Sequence, residues 1–209
     1  MLYLIYSKPN SMQEDNITQQ QSLAIIESMI NKAKNQFSEN GFAYLLWGWV
    51  ILFCSLSQFV LQYFYNYPKH YLVWSITWLA AIVQIVYSIR QSKKKRVRTY
   101  TDDITGYVWI VFVIMLALSG SVISRSLHPE QYYIGNIVVL VLYGMPTFLS
   151  GVILKFRPLI TGGISCWILS LFAAFVAHEF IILLISIAVI IAWIIPGYLL
   201  RSRFKKANL

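Results

Sequence analysis

The sequence predicts an all-α fold: a polytopic membrane bundle of six transmembrane helices preceded by a cytoplasmic amphipathic helix. Three observations carry this expectation. The 209 residues are 58% hydrophobic and only 12% charged, with a mean hydropathy of +0.62, whereas soluble domains are about 25% charged. The apolar residues gather in stretches at 43–64, 71–89, 105–124, 133–153, 159–178 and 180–200, each close to the roughly 17–25 residues that cross about 30 Å of hydrocarbon as a helix. The basic residues fall in short blocks between those stretches. That distribution turns the net charge of +9 and the pI of 9.6 away from nucleic acid and toward a membrane surface.

Taken in chain order, residues 1–17 read as a frayed tail, with an apolar run too short for a secretory signal and Met12 as a natural start. Residues 18–40 read as an amphipathic interfacial helix. Thr18 with Gln21 three places on fits a capping box, and Leu23, Ile26, Ile30, Ala33 and Phe37 recur at steps of three and four. Asn40-Gly41 supplies a left-handed stop before the first span. Such a helix lies on the inner leaflet or docks a partner helix, so Leu23, Ile26, Ile30 and Phe37 are the expected partner or membrane-surface face.

From residue 41 onward the chain reads as one transmembrane domain. No acidic or basic residue falls in the middle of a span. Between spans two and three stand Arg90, Lys93, Lys94, Lys95, Arg96 and Arg98. Burying those six charges would cost about 15–20 kcal/mol at roughly 2.5–3.5 per charge, so the two spans must be separate helices. The same six residues are the expected contact for anionic lipid, at about 1 kcal/mol each. Fifteen of the seventeen Lys and Arg residues lie on one side of this topology, and only Lys69 and Arg125 lie on the other, which puts both termini in the cytoplasm. Tyr44, Trp47, Trp109 and Tyr198 near inner ends, with Tyr65, Tyr71, Trp74 and Tyr133 near outer ends, read as two aromatic belts.

Few residues suggest chemistry. Cys54 and Cys166 sit inside apolar runs without CxxC spacing and read as small buried hydrophobes. No ionisable group stands at mid-depth, which counts against a proton pump, an aspartyl intramembrane protease and a voltage sensor. There is no HExxH or GxSxG either. His70, His128 and His178, with Glu130 and Glu179, all fall at outer ends, where they are weak candidates for metal or pH sensing against a plainer role in loop solvation. Gly144, Pro146 and Thr147 lie near the middle of the fourth span, where proline removes a donor and a broken helix would mark a transport site. Ser55, Gln58, Gln84, Thr147 and Ser170 read as hydrogen-bonding glue between helices, and Gly144, Gly151, Gly162 and Gly163 as faces for close packing.

The runs QSLAIIESMINKAKNQFSENGFAYLLWGWV (21–50), VRTYTDD (97–103), ILKFRPLITGGISCWILS (153–170) and IIPGYLLRSRFKK (194–206) resemble a family of small six-span inner-membrane proteins of Bacteroidota-type bacteria. The resemblance covers nearly all of the chain from Met12, with residues 1–11 as its departure. It implies the six-span topology and residence in the bacterial inner membrane, and it carries over no catalytic or binding residue.

The reading these residues favour is a non-catalytic accessory or regulatory membrane protein. Its partners are the lipid bilayer and a cytoplasmic protein, with no nucleic acid and no cofactor. The alternative is a small-solute transporter or channel organised around a broken fourth helix at Gly144–Pro146, and an enzyme comes third. Topology is directly testable. Reporter fusions active only outside the cytoplasm should be active after Tyr67 and Glu130 and silent after Lys95 and Lys206, and activity at Lys95 would overturn the topology.

Overall fold

The computed structural model describes residues 23–26, 40–94, 100–128 and 131–207. The chain forms two compact units, residues 1–36 and residues 37–209. In the first, residues 23–26 are helical, with Leu23 and Ile26 exposed. The remainder of the expected amphipathic helix, including Ile30, Phe37 and the Thr18–Gln21 pair, lies outside the described residues.

The second unit begins at Gly41, whose φ of 71° and ψ of 4° are left-handed, a conformation in which a Cβ is costly. Asn40 Oδ1 accepts the Phe42 N–H at 3.0 Å. The first span, α1 (Phe42–Tyr63), starts at once. A 3-10 turn, His70–Ser75, leads into α2 (Ile76–Lys94). Next come α3 (Tyr100–Ser126), α4 (Tyr133–Ile153) and α5 (Arg157–Ala173). After a second 3-10 turn, His178–Phe180, the chain continues as α6 (Ile181–Val189), a π turn (Ile190–Ile194) and α7 (Ile195–Ala207). The described residues contain no strand.

Among the described residues, five helical stretches are long and apolar enough to cross a membrane, the last running from His178 to Lys206. Arg157–Ala173 is a shorter apolar helix. The fifth stretch, expected at 159–178, is therefore shifted and shortened. It starts early because Pro158 stands in its first turn, where a missing N–H costs nothing. It ends early in a run of tight i→i−3 bonds, from the N–H groups of Ala174, Phe175 and Val176 to the carbonyls of Leu171, Phe172 and Ala173. Its 17 residues measure about 25 Å at 1.5 Å per residue.

The most extensive helix contact joins α4 and α5, and glycines permit it. A Cβ on Gly163 would stand 2.7 Å from the Phe148 nitrogen and 2.8 Å from the Gly144 carbonyl oxygen, and one on Gly151 would stand 2.6 Å from the Ile160 nitrogen. On its other side α5 meets the π turn, where a Cβ on Gly162 would lie 2.7 Å from the Ala192 Cα. Small residues thus bring three backbones together, the usual way helices associate where hydrophobicity gives no preference for contact. The small faces expected at Gly144, Gly151, Gly162 and Gly163 are all used.

At the centre stands α6, with Ile181, Ile182, Leu184, Ile185, Ala188 and Val189 all buried. Ser55 of α1 and Ser186 of α6 share a hydrogen bond of 2.7 Å. By contrast α2 and α3 are peripheral, and Trp78, Leu79, Ile82, Ile110, Val113 and Leu118 are exposed along them. Soluble monomers rarely expose continuous apolar surface beyond a few hundred Å². An apolar girdle of this kind fits a membrane protein.

Candidate functional site

Gly144, Pro146 and Thr147 occupy the middle of α4, and the helix is unbroken from Tyr133 to Ile153. The continuity of the helix past Pro146, where the transporter alternative would have a break, has a physical setting. Proline removes the donor that would meet the Leu142 carbonyl, but neighbouring groups attend to the carbonyls beside it. Trp167 Nε1 of α5 donates to the Val141 carbonyl at 3.1 Å, and the Thr147 hydroxyl donates to the Tyr143 carbonyl at 2.8 Å. Membrane helices tolerate proline where such partners stand ready.

The Thr147 oxygen in turn accepts from Trp193 Nε1 of the π turn at 2.8 Å, a fully buried bond. Tyr143 lies 4.7 Å from the Trp193 ring, Trp109 lies 5.9 Å from it, and Phe112 and Tyr44 continue the cluster at 5.8 Å from Tyr143 and Trp109 respectively. Tyr143, Gly144, Pro146, Thr147, Ser150 and Gly151 are all buried. Tyr44 and Trp109, expected in an aromatic belt at the headgroups, join this cluster through Trp109, which meets Trp193 of the π turn. A shallow groove of about 260 Å³, lined by Tyr107, Val111, Phe112, Met145, Pro146 and Leu149 among others, lies between α3 and α4, and Thr147 does not line it.

The π turn has its own cause. Pro196 lacks the N–H that a regular helix would use, and the Ile195 N–H reaches five residues back to the Ile190 carbonyl. The wider turn places Trp193 toward α4.

The histidines are held separately. The His70 ring nitrogen Nδ1 lies 3.3 Å from Gln58 Nε2, and the oxygen of the same amide accepts from Trp74 Nε1. The His178 ring lies 5.5 Å from that of Tyr133, and with Gln62, Tyr63, Asn66 and Glu179 it lines a small polar groove. His128 is exposed, and its backbone N–H donates to the Gln131 side chain at 3.3 Å. Glu130 is outside the described residues. Among the described residues no three His, Cys, Asp or Glu side chains gather to hold a metal ion. Cys54 and Cys166 are free and buried, as expected of small hydrophobes. The Gln58–His70–Trp74 set went unread in the sequence, although the four-residue spacing of His70 and Trp74 was a usable sign.

The opposite end gathers the basic residues. Phe42 stacks on Tyr87 at 4.0 Å, Gly41 packs beside Gly197, and the Arg203 guanidinium stands 5.9 Å from the Phe156 ring centre. These contacts put the start of α1, the end of α2, the α4–α5 turn and α7 together. Arg90 and Lys93 are exposed there and Lys94 closes α2, while Lys95, Arg96 and Arg98 are outside the described residues. Lys69 and Arg125 belong to the histidine end.

No protein-family model matches this chain, and no curated protein or solved structure matches it.

The Trp193–Thr147 bond yields a stability prediction. Thr147→Val keeps the shape but leaves a buried indole N–H without an acceptor, so thermal unfolding in detergent should show a loss of about 1–3 kcal/mol. Thr147→Ser, which keeps the oxygen, should lose clearly less.

Proposed function

We propose that the chain crosses the bacterial inner membrane six times with both termini in the cytoplasm, and that it serves as a non-catalytic accessory or regulatory protein. In this reading Arg157–Ala173 is the fifth crossing. Its length of about 25 Å falls only a little short of the hydrocarbon thickness, and the close glycine contacts with α4 and the π turn hold it among longer neighbours. The gathering of basic residues at one end supports the orientation.

The observation that carries the functional reading is the closed midplane. Thr147 is 0% exposed and engaged on both sides, by the Tyr143 carbonyl and by Trp193. A transport site at this depth would present such polar groups to a water-filled path. With the interior occupied by packing, function falls to the cytoplasmic surface: the face of Leu23, Ile26, Ile30 and Phe37, and the 90–98 segment, which holds anionic headgroups.

Two experiments test this. Ile26→Glu combined with Ile30→Glu should reduce recovery of the cytoplasmic partner or membrane association of the segment, since two apolar contacts of roughly 1.5–3 kcal/mol each are lost. Equal labelling rates for cysteines placed at Ile30 and Lys32 would show a helix free in water and defeat the idea. Thr147→Cys, in a background lacking Cys54 and Cys166, should stay silent to a small charged thiol reagent. Rapid labelling that a solute slows would establish the transporter instead.

A further inference from the structure

We infer that the turn His70–Ser75 is a proton-operated latch on the outer part of α1. Which groups can donate fixes the state of the turn. An indole N–H only donates, so the contact from Trp74 Nε1 fixes the oxygen of the Gln58 amide toward Trp74. The amide nitrogen must then face the other way, toward His70 Nδ1 at 3.3 Å. An amide NH₂ also only donates, so Nδ1 has to be the acceptor, and the ring proton sits on Nε2. The hydrogen bonds specify the neutral imidazole and one of its two tautomers.

Acidification undoes this arrangement. A proton from water forms an N–H bond at Nδ1, the lone pair that accepted from Gln58 is consumed, and two donors are left facing each other. Gln58 cannot rotate its oxygen round to help, because Trp74 would then face an NH₂. The other titratable groups on the elements packed against the turn are Tyr44, Cys54 and Tyr63 on α1, and Tyr87, Arg90, Lys93 and Lys94 toward the far end of α2. Lys69 adjoins the turn, and the Tyr71 ring stands edge-on to His70 at 6.1 Å. No carboxylate occurs anywhere in residues 42–94, so none of these elements offers an imidazolium a compensating partner. Besides its packing, the turn then keeps the Trp74 Nε1 bond to the Gln58 oxygen and a weak link from the Cys54 thiol to the Val73 carbonyl at 3.5 Å, having lost its His70 contact with α1.

Hydrogen exchange on the full chain in lipid nanodiscs reads the latch directly. The His70 and Leu72 amides, bonded to the Tyr67 and Lys69 carbonyls, report on the turn, and amides of α4 serve as the reference. Between about pH 7.5 and about pH 5.5, protection of the turn corrected for intrinsic exchange should fall about tenfold, the ratio that goes with one hydrogen bond. Protection in α4 should not change. His70→Asn puts an oxygen acceptor near the place of Nδ1 that takes no proton, and it should keep the turn protected at both pH values. Gln58→Glu, able to accept from Trp74 and from an imidazolium together, should abolish the fall. Equal protection at both pH values in the wild type, or an undiminished fall in either variant, overturns the proposal.

Discussion

The hydrogen bond from Trp193 to Thr147 depends on two prolines and two glycines, and most of the interior follows from it. Pro146 and Pro196 each take an N–H out of a helix in surroundings with little water to replace it. On one side the response is an unbroken helix whose neighbouring carbonyls are met by Trp167 and Thr147. On the other it is a wide turn that swings an indole across the gap. The indole reaches only because Gly162 and Gly163 let α5 lie close to both. Filling a Cβ at either position would push apart the backbones whose separation the bond requires.

How much of this was legible in the sequence differs by residue. The all-helical class with several apolar helices could be read because hydropathy over some twenty residues is a strong signal, and the bounds of α4 are those the sequence predicts. The left-handed Gly41 was also legible, since an Asn-Gly pair before an apolar run has few other uses. The packing of Tyr44 and Trp109 in the Trp193 cluster was not legible, because an aromatic residue near a span end has the same sequence context whether it faces headgroups or a packed interior. The midplane of α4 was half legible. The proline announces a missing donor, but the indoles that reach the Val141 carbonyl and the Thr147 hydroxyl beside it lie 26 and 46 positions from those partners in sequence, and a single sequence without partners cannot display them. The Gln58–His70–Trp74 set was hidden for the same reason, in that its members look individually like a linker amide, a loop histidine and a belt tryptophan.

The two ends of the bundle are chemically unlike. One concentrates lysine and arginine with a cation set over an aromatic ring, a surface suited to phosphate headgroups or an acidic partner. The other holds histidines in separate small polar settings and carries few formal charges. Between them α2 touches the rest lightly, whereas α3 is tied to α4 and to the Trp193 cluster through Trp109 and Phe112, so α2 is the helix that can shift against lipid without disturbing the core. Flexibility in such a molecule belongs at the periphery and at the turns, while the centre stays fixed.

The placement of α1 has a consequence for how the chain is made. Its contacts with α6 are more extensive than those with α2, its neighbour in sequence, and the Ser55–Ser186 bond joins residues 131 positions apart. At about 5–20 residues per second the ribosome needs on the order of ten seconds to cover that distance. During this interval the first helix waits in the bilayer with its serine unmatched and the groove for α6 open, while the α4–α5 hairpin can assemble as soon as it emerges. The earliest segment to enter the membrane is therefore among the last to be settled, and any factor that shields a lone helix during insertion would find its client here in α1.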